Sequence, residues 1–310
     1  MKAIIINEFG PIQNLQLADL PIPTINDNEV LIKVSAISVN PVDLKTREGK
    51  GTAGNIKEWP VILGWDVSGE VVESSSSQFK KGDEVFGMVN FPGHGKAYAD
   101  YVAAKADHLA LKPANISHDE AAAACLAALT AWQNVTEHYK VKEGDKVLIH
   151  AGSGGVGHYA IQMAKYLGAY VVATSSAENK RFVIGLGADE HIDYKAVLFE
   201  DEVSDVDFVL NTQSAEIAER SLTVVKQGGT IISIASAVND ELKEKAKAKG
   251  IKISQTMVKS SGKDMKQLAD LLDKGIIRSQ VAELFALEDM QKAHASLATG
   301  RTVGKIVVKP

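Results

Sequence analysis

The heptapeptide AGSGGVG, residues 151–157, restricts this chain more than any other segment: Gly152, Gly154 and Gly157 keep a GxGxxG spacing between the apolar run KVLIH and a segment of helical period. The first glycine of such a triplet permits a tight turn out of a strand. The second leaves room for a phosphate beside the backbone, and the third lets the next helix lie close on the strand. Gly155 and Val156 complete the turn, whose N–H groups then stand at a helix start, where phosphate charge is favoured. Downstream, Val156, Ala160, Ala164 and Leu167 recur at helical spacing, and YVVATS, VDFVLN, TIISIAS and KISQTMV read as further strands separated by helix-length stretches. This alternation predicts an α/β unit, a parallel sheet covered on both faces, over residues 117–263. The Gly228–Gly229 pair is expected to stop the helix ahead of TIISIAS.

The end of the second strand of such a unit selects the cofactor. Binders of NAD carry an acid there, about 20 residues past the glycines, for the ribose 2′-hydroxyl. In this chain the stretch reads ATSSAENKR, so Thr174, Ser175 and Ser176 replace the acid, and Lys180 and Arg181 follow. Hydroxyls and cations suit a 2′-phosphate. NADPH is therefore the expected cofactor, with Glu178 the residue that keeps NADH open.

The remainder of the chain has a different texture. From Met1 to about Pro113 short strands alternate with turn signals, as in VLIKVSAI, VILGWDVSGEVV and FKKGDEVFGMV, and after two amphipathic helical patterns the chain ends in a further strand, GKIVVKP. A length of 310 residues accommodates two such units. The expected division is 1–116 with 264–310, and 117–263 inserted between them. A net charge of −5 with scattered Lys and Arg argues against a nucleic-acid surface. No segment reaches membrane-spanning length, and the start MKAIIINEFG is too broken for a signal-peptide core. The single cysteine, Cys125, lies in the apolar stretch AAAACLAAL, where a buried core thiol is expected, and it permits no internal disulfide. A reducing, cytoplasmic location is the default.

The segments AGSGGVGHYAIQMAKYLGAYVVATSS, SVNPVDLKTREG, GWDVSGEVV, AALTAW and GRTVGKIVVKP together resemble the zinc-free quinone oxidoreductase (zeta-crystallin-like) and enone reductase branch of the medium-chain dehydrogenase/reductases, over nearly the whole chain. That resemblance implies a GroES-like β-barrel catalytic domain built from both ends of the chain around an inserted Rossmann domain. It implies reduction of a quinone or an enone by hydride transfer from NADPH, and a homodimer formed through a sheet edge such as KISQTMV. Zinc members of the superfamily hold their metal with a cysteine and a GHE histidine. Asn40 stands near the first of these positions and Trp65 at the second, so no metal is expected. Without a Lewis acid, a conjugated acceptor that spreads the incoming charge into an enolate is the easier substrate.

By the same resemblance Lys45 of NPVDLK is the candidate electrophile, Asn40 would hydrogen-bond the nicotinamide ribose or the substrate carbonyl, and Thr130 of AALTAW would sit beside the nicotinamide. A turn for Asn40–Pro41 and a surface cation for Lys45 are the plainer alternatives. Asp43 reads as a helix cap or a partner of Lys45. Tyr98 and Tyr101 read as core or cleft residues, and Tyr194 resembles a tyrosine near the 2′-phosphate. Arg301 and Lys305 either approach the cofactor or flank a surface turn. The competing function is a non-catalytic NADPH-binding sensor or a nucleic-acid-associated protein, disfavoured by the charge and by the intact NPVDLK segment.

Overall fold

A computed structural model describes residues 1–310. The chain divides into two compact units, Met1–Leu129 with Val258–Pro310, and Thr130–Met257.

In the second unit six strands form one parallel sheet in the order Glu190–Asp193, Tyr170–Ser175, Lys146–Ile149, Val206–Asn211, Val225–Ser233, Lys252–Gln255. The central strands are buried along nearly their whole length, which explains their continuous apolar runs: a parallel sheet has helices on both faces and no wet side to alternate against. Numbered along the sheet's own chain order, the strands run 3-2-1-4-5-6, the doubly wound arrangement that reverses direction between Lys146–Ile149 and Val206–Asn211. Ligands of such sheets bind at the carboxyl ends of the strands at this reversal, and the glycine turn leaves the sheet there. Gly228 and Gly229 do not end a helix. They lie inside the strand Val225–Ser233, where Gly228 has φ 84° and the pairing with Val206–Asn211 shifts register. A left-handed kink within a strand calls for glycine as much as a helix end does, and the two uses read alike in sequence.

In the first unit a seven-stranded sheet is built around the long strand Glu29–Val39, which pairs with Asp66–Ser74, Tyr101–Lys105 and the final strand Lys305–Lys309. Its interior is filled by Ile32, Ile37, Val67, Val85, Tyr98, Ile306 and their neighbours. The residues 117–129 lie with this unit, and the residues 258–263 do too, so the division falls later and earlier respectively than the composition change placed it. The helix His118–Ala123 packs on Glu29–Val39 and Asp66–Ser74, and the Leu126 amide bonds to Asp66 (2.9 Å). An alanine-rich helix fits against either kind of sheet, so sequence does not assign it. No helix is long and apolar enough to cross a membrane.

Candidate functional site

The strand Lys146–Ile149 delivers the chain to Ala151, which sits at φ 51° in the left-handed region although it is not glycine. Two bonds to Thr174 hold it and its successor there: Ala151 N–H to the Thr174 hydroxyl (3.1 Å) and Gly152 N–H to the Thr174 carbonyl (2.8 Å). The spacing of glycines then follows from contact distances. A Cβ on Gly152 would meet Ala173 and Ile161 at 2.9 Å, and one on Gly157 would meet the Ala151 carbonyl oxygen at 2.2 Å. A Cβ on Gly154 would meet only Ala151, at 3.2 Å or more, so this glycine keeps space open rather than packing tightly. No side chain caps the helix Gly157–Tyr166 that follows. A cradle of small residues at an uncapped helix start fits a dinucleotide pyrophosphate.

Beyond the turn, the three hydroxyls at the end of Tyr170–Ser175 divide into different roles. Thr174 is buried and committed to Ala151 and to His150 Nδ1 (3.3 Å). Ser175 is 1% exposed, its hydroxyl lying 2.7 Å from His191 Nε2 and donating to the Ser176 carbonyl, which links it internally. Ser176 precedes the next short helix, and Asn179 Nδ2 donates to both Ser176 Oγ (3.3 Å) and Ser153 Oγ (3.1 Å), tying this corner to the glycine turn. Lys180 and Tyr194 are exposed at the same corner, the Tyr194 amide bonding to the Ser175 carbonyl (3.3 Å). Sequence reasoning missed Asn179 and His191. The first was visible as a cap residue, but the second arrives through the parallel pairing of Ala173 with His191, which carries no local signal.

The first unit holds a buried polar network where Asn40 was expected to meet a ligand. Asn40 is 1% exposed. Its Nδ2 donates to Asp66 (2.8 Å) and to the Ser38 carbonyl (3.3 Å), and its Oδ1 accepts from Lys305 Nζ (2.5 Å). Asn40 thereby stands at the start of the helix Pro41–Arg47 within this network. Lys305 is buried as well, donating also to the Val39 carbonyl, so it does not flank a surface turn. Asp43 caps the helix by accepting the Asn40 N–H (2.6 Å), and Lys45 is on the exposed side of that helix. Tyr98 is core, its hydroxyl 3.0 Å from His294 Nε2. Thr130 is buried in the helix Leu126–Gln133 at the beginning of the second unit, its carbonyl accepting from Asn134. Arg301 is exposed beyond the last helix.

Trp65 is buried, donating its indole N–H to the Gly93 carbonyl (2.7 Å), and no group of three or more His, Cys, Asp or Glu is placed to hold a metal ion. Cys125 is a core thiol, pushed well up by burial and by the Asp66 charge.

Burial pushes Asp43 up to about 7 and Asp66 up to about 6, the neighbouring carboxylate adding to the rise at Asp43. A raised acid makes the folded state hold its proton longer than the unfolded chain. Stability from Asp43 therefore falls as pH rises from about 4 and has been lost above about 7. Asp43→Asn keeps the acceptor for Asn40 and removes this titration. It is expected to lessen the decline in unfolding free energy between pH 5 and 8 by about 2–3 kcal/mol, one pKa unit being worth about 1.4. Urea melts of both proteins across that range check it, and parallel profiles would refute it.

Two family models match the chain, the alcohol dehydrogenase GroES-like domain over residues 26–114 and the zinc-binding dehydrogenase over residues 186–308. A 2-methylene-furan-3-one reductase of Solanum lycopersicum is 34% identical over an alignment covering 100% of this chain and 79% of that protein. Among solved structures, the quinone oxidoreductase from Coxiella burnetii superposes with a TM-score of 0.94 at 38% identity, covering 100% of this chain and 99% of that one. The Escherichia coli quinone oxidoreductase complexed with NADPH superposes with a TM-score of 0.89 at 25% identity, covering both chains entirely (100% each).

Proposed function

This chain belongs to the quinone and enone oxidoreductases of the medium-chain dehydrogenase/reductase superfamily, and from that premise we propose that it reduces a quinone or an α,β-unsaturated carbonyl compound with NADPH and without a metal ion. The observation that carries the reading is the uncapped glycine turn followed, at the end of the next strand, by hydroxyls and a cation in place of an acid. NADPH, when bound, supplies the hydride.

The chain's own residues have three tasks. Gly152, Gly154, Gly155, Val156 and Gly157 receive the pyrophosphate, and Ser176, Lys180 and Tyr194 the 2′-phosphate. Lys45, exposed on the helix that Asn40 and Asp43 anchor, faces the negative charge that develops on the acceptor oxygen, where a fixed cation lowers the barrier. Thr130 orients the nicotinamide. Independence from metal is supported by the side chains at the two ligand positions, a hydrogen-bonded amide at Asn40 and a buried indole at Trp65, neither of which offers a thiolate or an imidazole. The edge position of Lys252–Gln255 supports a homodimer through that strand, and a lone buried thiol supports a reducing compartment such as the cytoplasm.

Lys180→Ala tests the cofactor assignment. Loss of a charge-assisted bond to phosphate costs about 1.5–3 kcal/mol, at the lower end for an exposed lysine. The ratio of NADPH to NADH affinity is thus expected to fall about tenfold, with NADH binding unchanged. An unchanged ratio would remove Lys180 from the 2′-phosphate site.

A further inference from the structure

His150 stands just ahead of the glycine turn, is 2% exposed, and has both ring nitrogens engaged. Ser221 Oγ lies 2.7 Å from the Ile217 carbonyl, which can only accept, so the serine proton goes there. Ser221 Oγ must then accept from His150 Nε2 (3.1 Å), which places the ring proton on Nε2. Nδ1 is left as an acceptor, and the only hydrogen facing it is that of the Thr174 hydroxyl (3.3 Å). With its proton turned towards His150, Thr174 Oγ1 presents a lone pair to the Ala151 N–H (3.1 Å). One directed chain therefore runs from the Ala151 amide through Thr174, His150 and Ser221 to the Ile217 carbonyl.

Each link has little freedom. The His150 backbone is pinned by its N–H to the Leu210 carbonyl (3.2 Å) and by its carbonyl, which accepts from Thr212 Oγ1 (2.9 Å). The ring lies edge-on to Phe199, with centroids 4.7 Å apart. Burial, aided by the Arg220 charge and opposed by Glu200, pushes the imidazole down to about 3, which keeps it neutral and its Nδ1 lone pair available throughout the ordinary pH range. The far end of the chain is Ala151, whose left-handed φ of 51° is uncommon for a residue with a side chain and must be held by its surroundings. Thr174 is what holds it.

We propose that His150 is a positioning residue for the dinucleotide, fixing through Thr174 the left-handed Ala151 from which the phosphate-binding turn departs. This rests on the NADPH reading above.

The test compares volume with hydrogen-bonding capacity. His150→Phe fills the site and keeps the ring contact but offers Thr174 no acceptor. His150→Asn loses volume and the bond to Ser221 but sets Oδ1 where Nδ1 was. Thr174→Val is a near-isosteric second variant that removes the link from the other side. NADPH dissociation constants are read by nicotinamide fluorescence on the full chain, together with KM for NADPH and for the acceptor and with urea melts. His150→Phe and Thr174→Val are each expected to weaken NADPH about tenfold, raising its KM with the acceptor KM unmoved, and the double variant no further. His150→Asn is expected to bind more tightly than His150→Phe while melting no later. Imidazole ¹⁵N shifts of the wild type are expected to report a neutral ring protonated on Nε2. Affinities that follow stability rather than the acceptor at position 150, or additive losses in the double variant, would overturn the proposal. A wild-type protein that fails to bind NADPH would instead overturn the reading beneath it.

Discussion

Replacing Lys305 by methionine is expected to destabilise the first unit by about 3–5 kcal/mol, the usual cost of removing one partner from a buried ionic group. Methionine fills nearly the same volume, so the loss is not that of a cavity. It comes from what is left behind: Asn40 Oδ1 and the Val39 carbonyl lose their donor, and buried Asp66 loses the cation that lowers its charge cost. The deficit also has a predictable pH dependence. Asp66, already pushed up to about 6, rises further once the lysine is gone and is neutral at pH 5, so the penalty should be smaller at pH 5 than at pH 8. Urea melts at both pH values read it. A loss under about 1 kcal/mol, the value of an exposed pair, would show that the network is solvated.

Gly157→Ala is expected to weaken NADPH binding about a hundredfold, the scale on which a misplacement of about 1 Å acts at a preorganised site. The added methyl would lie 2.2 Å from the Ala151 carbonyl oxygen and 2.9 Å from the Ala151 carbonyl carbon and Gly152 Cα, and all three are backbone atoms that no rotamer change can move. The helix start must therefore separate from the turn, and its N–H groups move away from the phosphate. Overpacking of this kind costs about 1–3 kcal/mol of stability. Gly154→Ala separates the two effects. Its methyl meets only Ala151 at 3.2 Å or beyond, so it should weaken NADPH by occupying the approach to the turn while leaving the melt nearly unchanged. Fluorescence titration of both variants reads the outcome, and binding by Gly157→Ala within about threefold of wild type would contradict the pyrophosphate assignment.

The parts of this protein that are readable in its sequence are those whose chemistry is local. AGSGGVG announces the turn because a tight exit at Gly152 and a close helix at Gly157 each exclude a side chain, with Gly154 open between them. KVLI and VDFVLN announce a parallel sheet because burial on both faces leaves no polar alternation. Lys305 was unreadable for the opposite reason. In GKIVVKP it is one more strand-terminal lysine, and it becomes an interior cation only because its strand pairs with Glu29–Val39 and brings it to Asn40, 265 positions away. The same applies to the run of hydroxyls at 174–176. Their presence is plain in the sequence, but which of them bond internally depends on His150 and His191, which reach the strand from other parts of the sheet. Asn40 is likewise drawn into a buried network with Asp66 and Lys305, partners that reach it only through the fold.

The most direct measurement is the oxidation of NADPH and of NADH by chelator-treated protein, verified free of metal, with a panel of quinones and conjugated enones and with simple ketones as controls. The account predicts turnover of conjugated acceptors that prefers NADPH, does not rise when zinc is added, and is absent with the ketones. Saturable NADPH binding without turnover of any acceptor, or activity that appears only on adding zinc, would contradict it.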